Sequence, residues 1–245
     1  PLFIFVLKMG VKGAAVATVL SQLCSALFVL HFLFGPTPQV GISFGGYRPW
    51  LMGRILTTGL TPFLIIAVDN LMIIVLNALL QRYGGESQGD LLVAAATISQ
   101  SFMLVVTMPL GGMTGGTGSI LGYNLGAGQP KRILEAQKYI LIIAVVYTGV
   151  LCLVGQLLAA PFTRIFTPDV EVSALAVTAI RITTLGIVPL GVQYVIVDGL
   201  TGMGMMRYSL PLSALRKLVY FAAIFVLPAA FGAVAIFYAE PISDL

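Results

Sequence analysis

Long apolar runs separated by short polar or charged segments follow one another along almost the whole chain. Positions 94–125 contain no charged residue, and this stretch is far longer than the ~18 apolar residues that suggest a membrane-spanning helix. Because the runs are much longer than the ~10-residue alternating segments of a barrel, we predict helices. The pattern predicts six spans, at 13–34, 55–80, 94–125, 133–160, 172–200 and 210–227, and a seventh that begins near Gly232.

The composition supports an integral membrane protein. Hydrophobic residues make up 58% of the chain and charged residues 9%, against about 25% charged in soluble domains; mean hydropathy is +1.02. The net charge of +4 comes from basic residues that stand singly or in pairs at span ends, so nucleic-acid binding is not expected. The sequence shows no metal-ligand spacing and no catalytic constellation, so we expect no metal, no cofactor and no enzyme activity.

The stretch 94–132 is the one around which the rest of the chain is organised. Pro109 stands in mid-run and is followed by closely spaced glycines, which in water would each cost up to ~1 kcal/mol relative to alanine in a helix. In a bilayer, glycine lets neighbouring helices approach closely, and a helix broken by proline can line a cavity. An ordinary kinked and packed helix and a cavity-lining helix both remain open. The glycines are Gly111, Gly112, Gly115, Gly116, Gly118 and Gly122.

Loop charge predicts the orientation of the spans, because cytoplasmic loops carry an excess of Lys and Arg. One alternate set of loops holds seven such residues and the other holds four, which places the first set on the cytoplasmic side. The first set is Arg48, Arg54, Lys131, Arg132, Arg207, Arg216 and Lys217, and the second is Lys8, Lys12, Arg82 and Arg164.

Two aspartates, Asp69 and Asp198, lie deep inside predicted spans. An aspartate at the bilayer centre costs about 2.5–3.5 kcal/mol on insertion scales, so it normally faces a cavity or a charged partner. The alternative to a functional role is a structural ion pair, and Arg181 is the one basic residue that the pattern places deeply enough to form it. Because Arg181 lies about five turns from Asp198 on the same predicted helix, we favour function for both aspartates.

Tyr194 stands four residues before Asp198, so the two side chains share one helix face. A phenol hydroxyl beside a carboxylate, with Gln193 adjacent, offers oxygen ligands for Na⁺ or for a proton shared through hydrogen bonds. The spacing therefore predicts a cation site on this helix.

A second group of side chains suggests a substrate surface. Gln100, Phe102, Met103 and Met108 lie along the first half of the 94–125 run, and Gln193 is adjacent to the predicted cation site. Adaptable, methionine-rich surfaces suit the promiscuous binding of apolar compounds. Ordinary core packing explains these residues equally well, and both interpretations stay open.

Two motifs carry a resemblance to a known family. The segment PLGGMTGGTGSILGYNLGAGQPKRILEA, positions 109–136, resembles the eighth-helix signature of the MATE (multidrug and toxic compound extrusion) transporters. The Tyr194-x-x-x-Asp198 spacing resembles the tenth-helix cation site of the NorM-type branch of that family. There, an acid on the seventh helix completes the site. Asp69 is the corresponding residue here, or Asn70 if the spacing from Pro62 differs by one.

The resemblance implies an architecture in which two lobes of six helices form a twelve-helix transporter. The chain opens and closes inside apolar runs, so we expect it to be part of a longer protein with a preceding N-terminal portion. Residues 1–35 would be the end of the N-terminal lobe, 36–50 an inter-lobe linker, and 51–245 the C-terminal lobe, truncated in its last helix. The fold expected is an all-α polytopic transmembrane bundle.

The function that the resemblance implies is export of amphipathic, often cationic drugs across a cell membrane, expected to be the bacterial cytoplasmic membrane, in exchange for Na⁺ or H⁺. Its partners would be toxic organic cations, membrane lipid and the N-terminal lobe. Pro62, Pro109 and Pro189 would act as hinges. A lipid-linked oligosaccharide flippase of the same superfamily is the alternative within transport, although it should place more basic residues in the cavity. A non-transporting scaffold is the alternative from a different class.

Overall fold

The computed structural model describes residues 9–35, 45, 46 and 48–245, and every regular element in those ranges is helical. The chain divides into two units, Pro1–Phe63 and Leu64–Leu245, which are described separately. Six helices in the described part are long and apolar enough to cross a membrane, and they correspond to the six predicted spans. They are Ala15–Leu33, Ile66–Gly85, Gln88–Gly126, Pro130–Phe166, Val170–Gly202 and Met206–Phe231.

The first unit contains α1 (Gly10–Leu33), an apolar helix with His31 in its last turn. The opening apolar piece 1–7 and most of the predicted linker 36–50 lie outside the described residues. The next helix, α2, begins at Pro49. Proline suits this position because the first turn of a helix leaves its N–H groups without partners in any case.

The long helix α2 (Pro49–Gly126) is divided by one residue. Gly85 has φ +65° and ψ −168°, a conformation open mainly to glycine. The chain folds back so tightly here that a Cβ on Gly84 would lie 2.8 Å from the backbone of Gly89. The connection between the predicted spans 55–80 and 94–125 is therefore a tight glycine turn between two helical arms.

We call residues 64–84 the first arm of α2 and residues 86–126 the second arm. The second arm forms the centre of the second unit, since it contributes to three buried apolar clusters. Leu92 packs in the first cluster together with Leu80 of the first arm. Val106 belongs to the second cluster and Leu110 to the third. The stretch that stands out in the sequence is thus also central to the packing.

Three further helices pack against this centre: α3 (Pro130–Phe166), α4 (Val170–Thr183) and α5 (Ile187–Gly202). A single 3-10 turn joins α4 to α5, so that the two form one membrane span. The buried face of α3 carries mostly small side chains at helical spacing, which allows its neighbours to approach closely. These small residues are Ala144, Thr148, Gly155, Ala159 and Thr163.

The last part of the chain closes the second unit. Helix α6 (Met206–Phe231) ends at Gly232, whose φ of +88° stops the helix in a conformation suited to glycine. A 3-10 segment (Ala233–Tyr238) and the short helix α7 (Ala239–Asp244) follow. Their buried side chains, Ile236, Phe237 and Ala239, join the first apolar cluster.

Pro109 lies inside the second arm without breaking it, because the one non-helical residue within α2 is Gly85. A proline has no N–H, so the carbonyl of Val105, four residues earlier, lacks its helical partner. The Tyr147 hydroxyl on α3 donates to this carbonyl at 2.9 Å. The second arm is thus a continuous helix at Pro109, and its released carbonyl is satisfied by a neighbour, as a bilayer requires.

Candidate functional site

A cavity of about 410 Å³ lies among the helices of the second unit. Its walls come from both arms of α2, the end of α4, α5, α6 and the C-terminal segment. Apolar side chains such as Met72, Leu76 and Met103 alternate with polar and charged ones. The polar and charged lining residues are Asp69, Ser99, Gln100, Thr107, Thr183, Tyr194, Arg216, Lys217, Tyr220 and Glu240.

Two ion pairs connect α6 to its neighbours on either side. Lys217 Nζ lies 2.6 Å from Asp69 Oδ1 on the first arm, and the side chains are 15% and 52% exposed. Arg216 Nε lies 2.6 Å from Asp244 Oδ1 on α7, and the side chains are 25% and 0% exposed. Consecutive residues on a helix point about 100° apart, so Arg216 and Lys217 reach different elements from adjacent positions.

The positions of Arg216 and Lys217 correct two sequence predictions. Both residues lie well inside α6 and not in a loop, so neither contributes to the Lys and Arg excess of the predicted cytoplasmic loops. Arg216 and Lys217 are also the basic residues that line the cavity. Arg181, which the pattern placed deepest, is exposed in the last turn of α4. Asp69 therefore has a partner that linear spacing did not indicate.

The predicted cation-site residues occupy two adjoining places. Tyr194 on α5 lines the cavity, as does Asp69. Asp198, one turn further along α5, lies outside the cavity lining and accepts a hydrogen bond of 2.5 Å from the Thr114 hydroxyl on the second arm. Asn70 is exposed, and its amide donates to the carbonyl of Ile66 at 2.9 Å. Asp69, rather than Asn70, is thus the first-arm residue that faces Tyr194 across the cavity.

The predicted substrate-surface residues separate into two groups. Gln100 and Met103 line the cavity. Phe102 is buried in the second apolar cluster and packs edge-on against Phe162, with ring centroids 5.2 Å apart. Met108 is 69% exposed, and Gln193 is partly buried outside the cavity lining.

The other two prolines predicted as hinges, Pro62 and Pro189, lie in different structural settings. Pro62 lies within α2 in the first unit. Pro189 is the third residue of α5, directly after the 3-10 turn Thr184–Gly186. At this turn, the Gln156 amide on α3 donates to the carbonyl of Arg181 at 2.8 Å and to the Thr184 hydroxyl at 2.9 Å. The interruption of the span therefore precedes the proline and is bonded to α3.

Sequence reasoning did not single out Tyr220, Glu240 and Asp244. Tyr220 and Glu240 line the cavity, and Asp244 forms the ion pair with Arg216. The signal was present in the sequence, since Glu240 and Asp244 stand four residues apart within the seventh apolar run. Among the described residues, no group of three or more His, Cys, Asp or Glu side chains could hold a metal ion.

Helices of membrane-spanning length around a cavity that carries charged side chains define a polytopic integral membrane protein. The sequence model of the MatE family matches residues 62–221, which is most of the chain. The chain therefore belongs to the MatE family, whose members are membrane transporters and not enzymes. The resemblance inferred from the eighth-helix motif and the prediction of a multi-pass membrane protein are both confirmed.

Individual relatives share the family and the fold. Over its whole length the chain is 23% identical to the Multidrug export protein MepA of Staphylococcus aureus (strain MSSA476), of which it covers 53%. An outward-facing multidrug resistance MATE family transporter of the MOP superfamily superposes with a TM-score of 0.84 at 24% identity, over 100% of this chain and 55% of that one.

A third relative is a MOP superfamily transporter from Pyrococcus furiosus, whose binding pocket is described as having reverse polarity that suggests a different function. It superposes with a TM-score of 0.85 at 23% identity, over 100% of this chain and 55% of that chain. These likenesses confirm the all-α membrane bundle. The chain spans about half the length of the relatives it matches.

Proposed function

We propose that the chain supplies the C-terminal lobe of a two-lobe transporter that exports amphipathic, often cationic small molecules in exchange for inward-moving Na⁺ or H⁺. Membership of the MatE family supports transport, and coverage of about half of the relatives supports the assignment to one lobe. The missing lobe and the surrounding lipid would complete the pathway.

The cavity in the second unit is the observation that carries the proposal. Its volume of about 410 Å³ falls within the range of roughly 300–1,000 Å³ that is typical of small-molecule sites. Methionine and leucine side chains offer an adaptable apolar surface, and Glu240, the lining carboxylate that belongs to neither ion pair, offers attraction for a positive charge. An amphipathic cation matches both properties.

Coupling would involve the adjoining carboxylate Asp198 and the phenol of Tyr194. Asp198 accepts a hydrogen bond from Thr114, so the protonation or ion occupancy of this carboxylate bears directly on the contact between α5 and the second arm. The same two helices meet through Gly118 and Gly202, whose backbones are in close contact. Cation binding at Asp198 would therefore change the interface between α5 and the second arm, at which the two helix backbones are in direct contact.

Alternating access requires that cation and substrate prefer different states of the lobe or compete for one site. A ligand shifts a conformational equilibrium only through its differential affinity for the two states. Pro62 and Pro189 are the proposed hinges, together with Pro109, whose released carbonyl is bonded to α3. The Tyr147 hydrogen bond would have to be exchanged for another when the second arm bends there.

A lipid-linked oligosaccharide flippase is the second candidate, and one observation favours it. Arg216 and Lys217 line the cavity, where they could attract an anionic lipid head group. Both are paired with carboxylates at 2.6 Å, however, which compensates much of their charge. Export of organic cations is therefore the favoured function.

The test is efflux of ethidium from cells that express the full-length protein, with Na⁺ and pH varied independently. We expect efflux to depend on one of the two ions and to be lost in Asp198→Asn at normal membrane expression. Asp90→Asn, at an exposed site near the turn between the two arms, is the matched control and should behave as wild type. Unchanged efflux in Asp198→Asn would remove this carboxylate from the mechanism.

A further inference from the structure

The two ion pairs leave the charges around the cavity unbalanced. Asp69 is paired with Lys217, and Asp244 is paired with Arg216. Glu240 also lines the cavity, and neither ion pair includes it. With every group ionised, three carboxylates face two basic groups. The cluster then carries one negative charge in excess.

The excess charge lies on one face of α7. Glu240 and Asp244 stand one turn apart, so their side chains are neighbours. Asp244 is fully buried, and its Oδ2 atom has no hydrogen-bond partner. A buried carboxylate that has one unsatisfied oxygen and a like charge beside it calls for a positive charge nearby. Binding of a cation or a proton at Glu240 would supply that charge.

The groups that surround Glu240 favour a proton over a metal ion. Helix α6 presents Arg216, Lys217 and Tyr220 to the cavity, α5 presents Tyr194, and the first arm presents Asp69. Among the described residues, α4 and the two 3-10 segments contribute no titratable side chain to this lining. A sodium ion would need several oxygen ligands, and one oxygen each of Asp69 and Asp244 is already engaged by Lys217 and Arg216. A proton binds a single carboxylate oxygen and needs no such shell.

We propose that Glu240 is a proton-binding carboxylate of this lobe, and that the cavity holds one positive charge at a time. In one state the Glu240 carboxylate has taken up a proton from water and is a neutral carboxylic acid. In the other, that proton has returned to water, and the charge of a monovalent organic cation takes its place. The inference rests on the proposed export function, specifies the proton as its coupling ion with one-for-one exchange, and places the exchanged proton at Glu240, while Asp198 acts on the contact between α5 and the second arm.

The experiment uses the full-length protein in proteoliposomes with ethidium as the probe. Wild type should move ethidium down its own gradient and should also accumulate it when driven by a pH gradient alone. Glu240→Gln should keep the downhill movement and lose the pH-driven accumulation, because glutamine cannot carry the proton. Glu135→Gln on the exposed face of α3 is the matched control and should retain both activities.

Proton release on ethidium binding in detergent provides an independent measurement. Wild type should release about one proton per molecule, in accordance with linkage between the two ligands, and Glu240→Gln should release none. If Glu240→Gln does not fold, Glu240→Asp replaces it and should shift the pH dependence of accumulation.

Three results have distinct meanings. Full pH-driven accumulation or unchanged proton release in Glu240→Gln would overturn the inference while leaving export intact, and an unchanged pH profile in Glu240→Asp would do the same. A wild-type protein that moves no ethidium in either assay would refute the export function itself.

Discussion

The contact between the second arm and α5 leaves no space for a methyl group at Gly122. A Cβ built at this position would lie 2.8 Å from the carbonyl oxygen of Gly202, a backbone atom that cannot rotate away. Overpacking of this kind typically costs about 1–3 kcal/mol. We therefore expect Gly122→Ala to lower the stability of the protein by about that amount, relative to an alanine placed in the same helix without a clash.

Gly116→Ala provides that reference, because a Cβ there would meet nothing within 4 Å. Both substitutions gain the same helix propensity, up to ~1 kcal/mol, so the difference between them isolates the clash. For 150–250 residues, 1 kcal/mol corresponds to roughly 2–4 °C in Tm. Gly122→Ala should therefore melt at least about 2 °C below Gly116→Ala when both are heated in the same detergent and followed by loss of the monodisperse peak. Equal melting temperatures would refute the backbone contact.

Two further predictions concern bonds that cross between helices. Tyr147→Phe removes the hydroxyl that donates to the carbonyl released by Pro109, and this should cost about 0.5–1.5 kcal/mol of stability. The variant should have a lower Tm than Tyr139→Phe, which changes an exposed tyrosine on the same helix. An equal Tm would show that the hydrogen bond adds nothing to stability. Arg216→Met leaves the fully buried Asp244 unpaired and should cost about 3–5 kcal/mol, whereas Lys217→Met leaves a half-exposed aspartate and should cost much less. Equal yields and melting temperatures for these last two variants would contradict the difference in burial.

Much of the fold could be predicted from the sequence because the bilayer imposes a simple rule. Every backbone polar group must be bonded internally, so each long apolar run has to be a helix. The six spans follow directly from this rule. The glycine pattern at 109–136 also identified the family, because close backbone approach at positions such as Gly118 and Gly122 depends on the residue type itself.

The charged side of the cavity could not be predicted in the same way. The loop-charge count treats basic residues as lying at span ends, so it includes Arg216 and Lys217 although the predicted span 210–227 contains them and α6 runs through them. The partner of Lys217 is Asp69, far away in the chain, and no local periodicity records such a pairing. Tyr194 and Asp198 stand four residues apart on α5, but whether both reach one cavity depends on neighbouring helices.

The effect of Pro109 shows a similar limit. Because proline has no N–H, the sequence identifies the released carbonyl of Val105, and both a packed helix and a broken one are compatible with it. Whether the helix breaks depends on what lies opposite that carbonyl. Tyr147, on a different helix, happens to place a donor there, and only the packed structure reveals it.

The adjacent placement of Arg216 and Lys217 has a mechanical consequence. One residue is tethered to α7 and the next to the first arm of α2, at an angle of about 100° around the α6 axis. Together the two ion pairs hold α6 in one orientation about its own axis. Rotation of α6 about this axis would have to break both ion pairs. Neutralising Asp69 or Asp244 would therefore weaken one of the two contacts that hold α6 in this orientation.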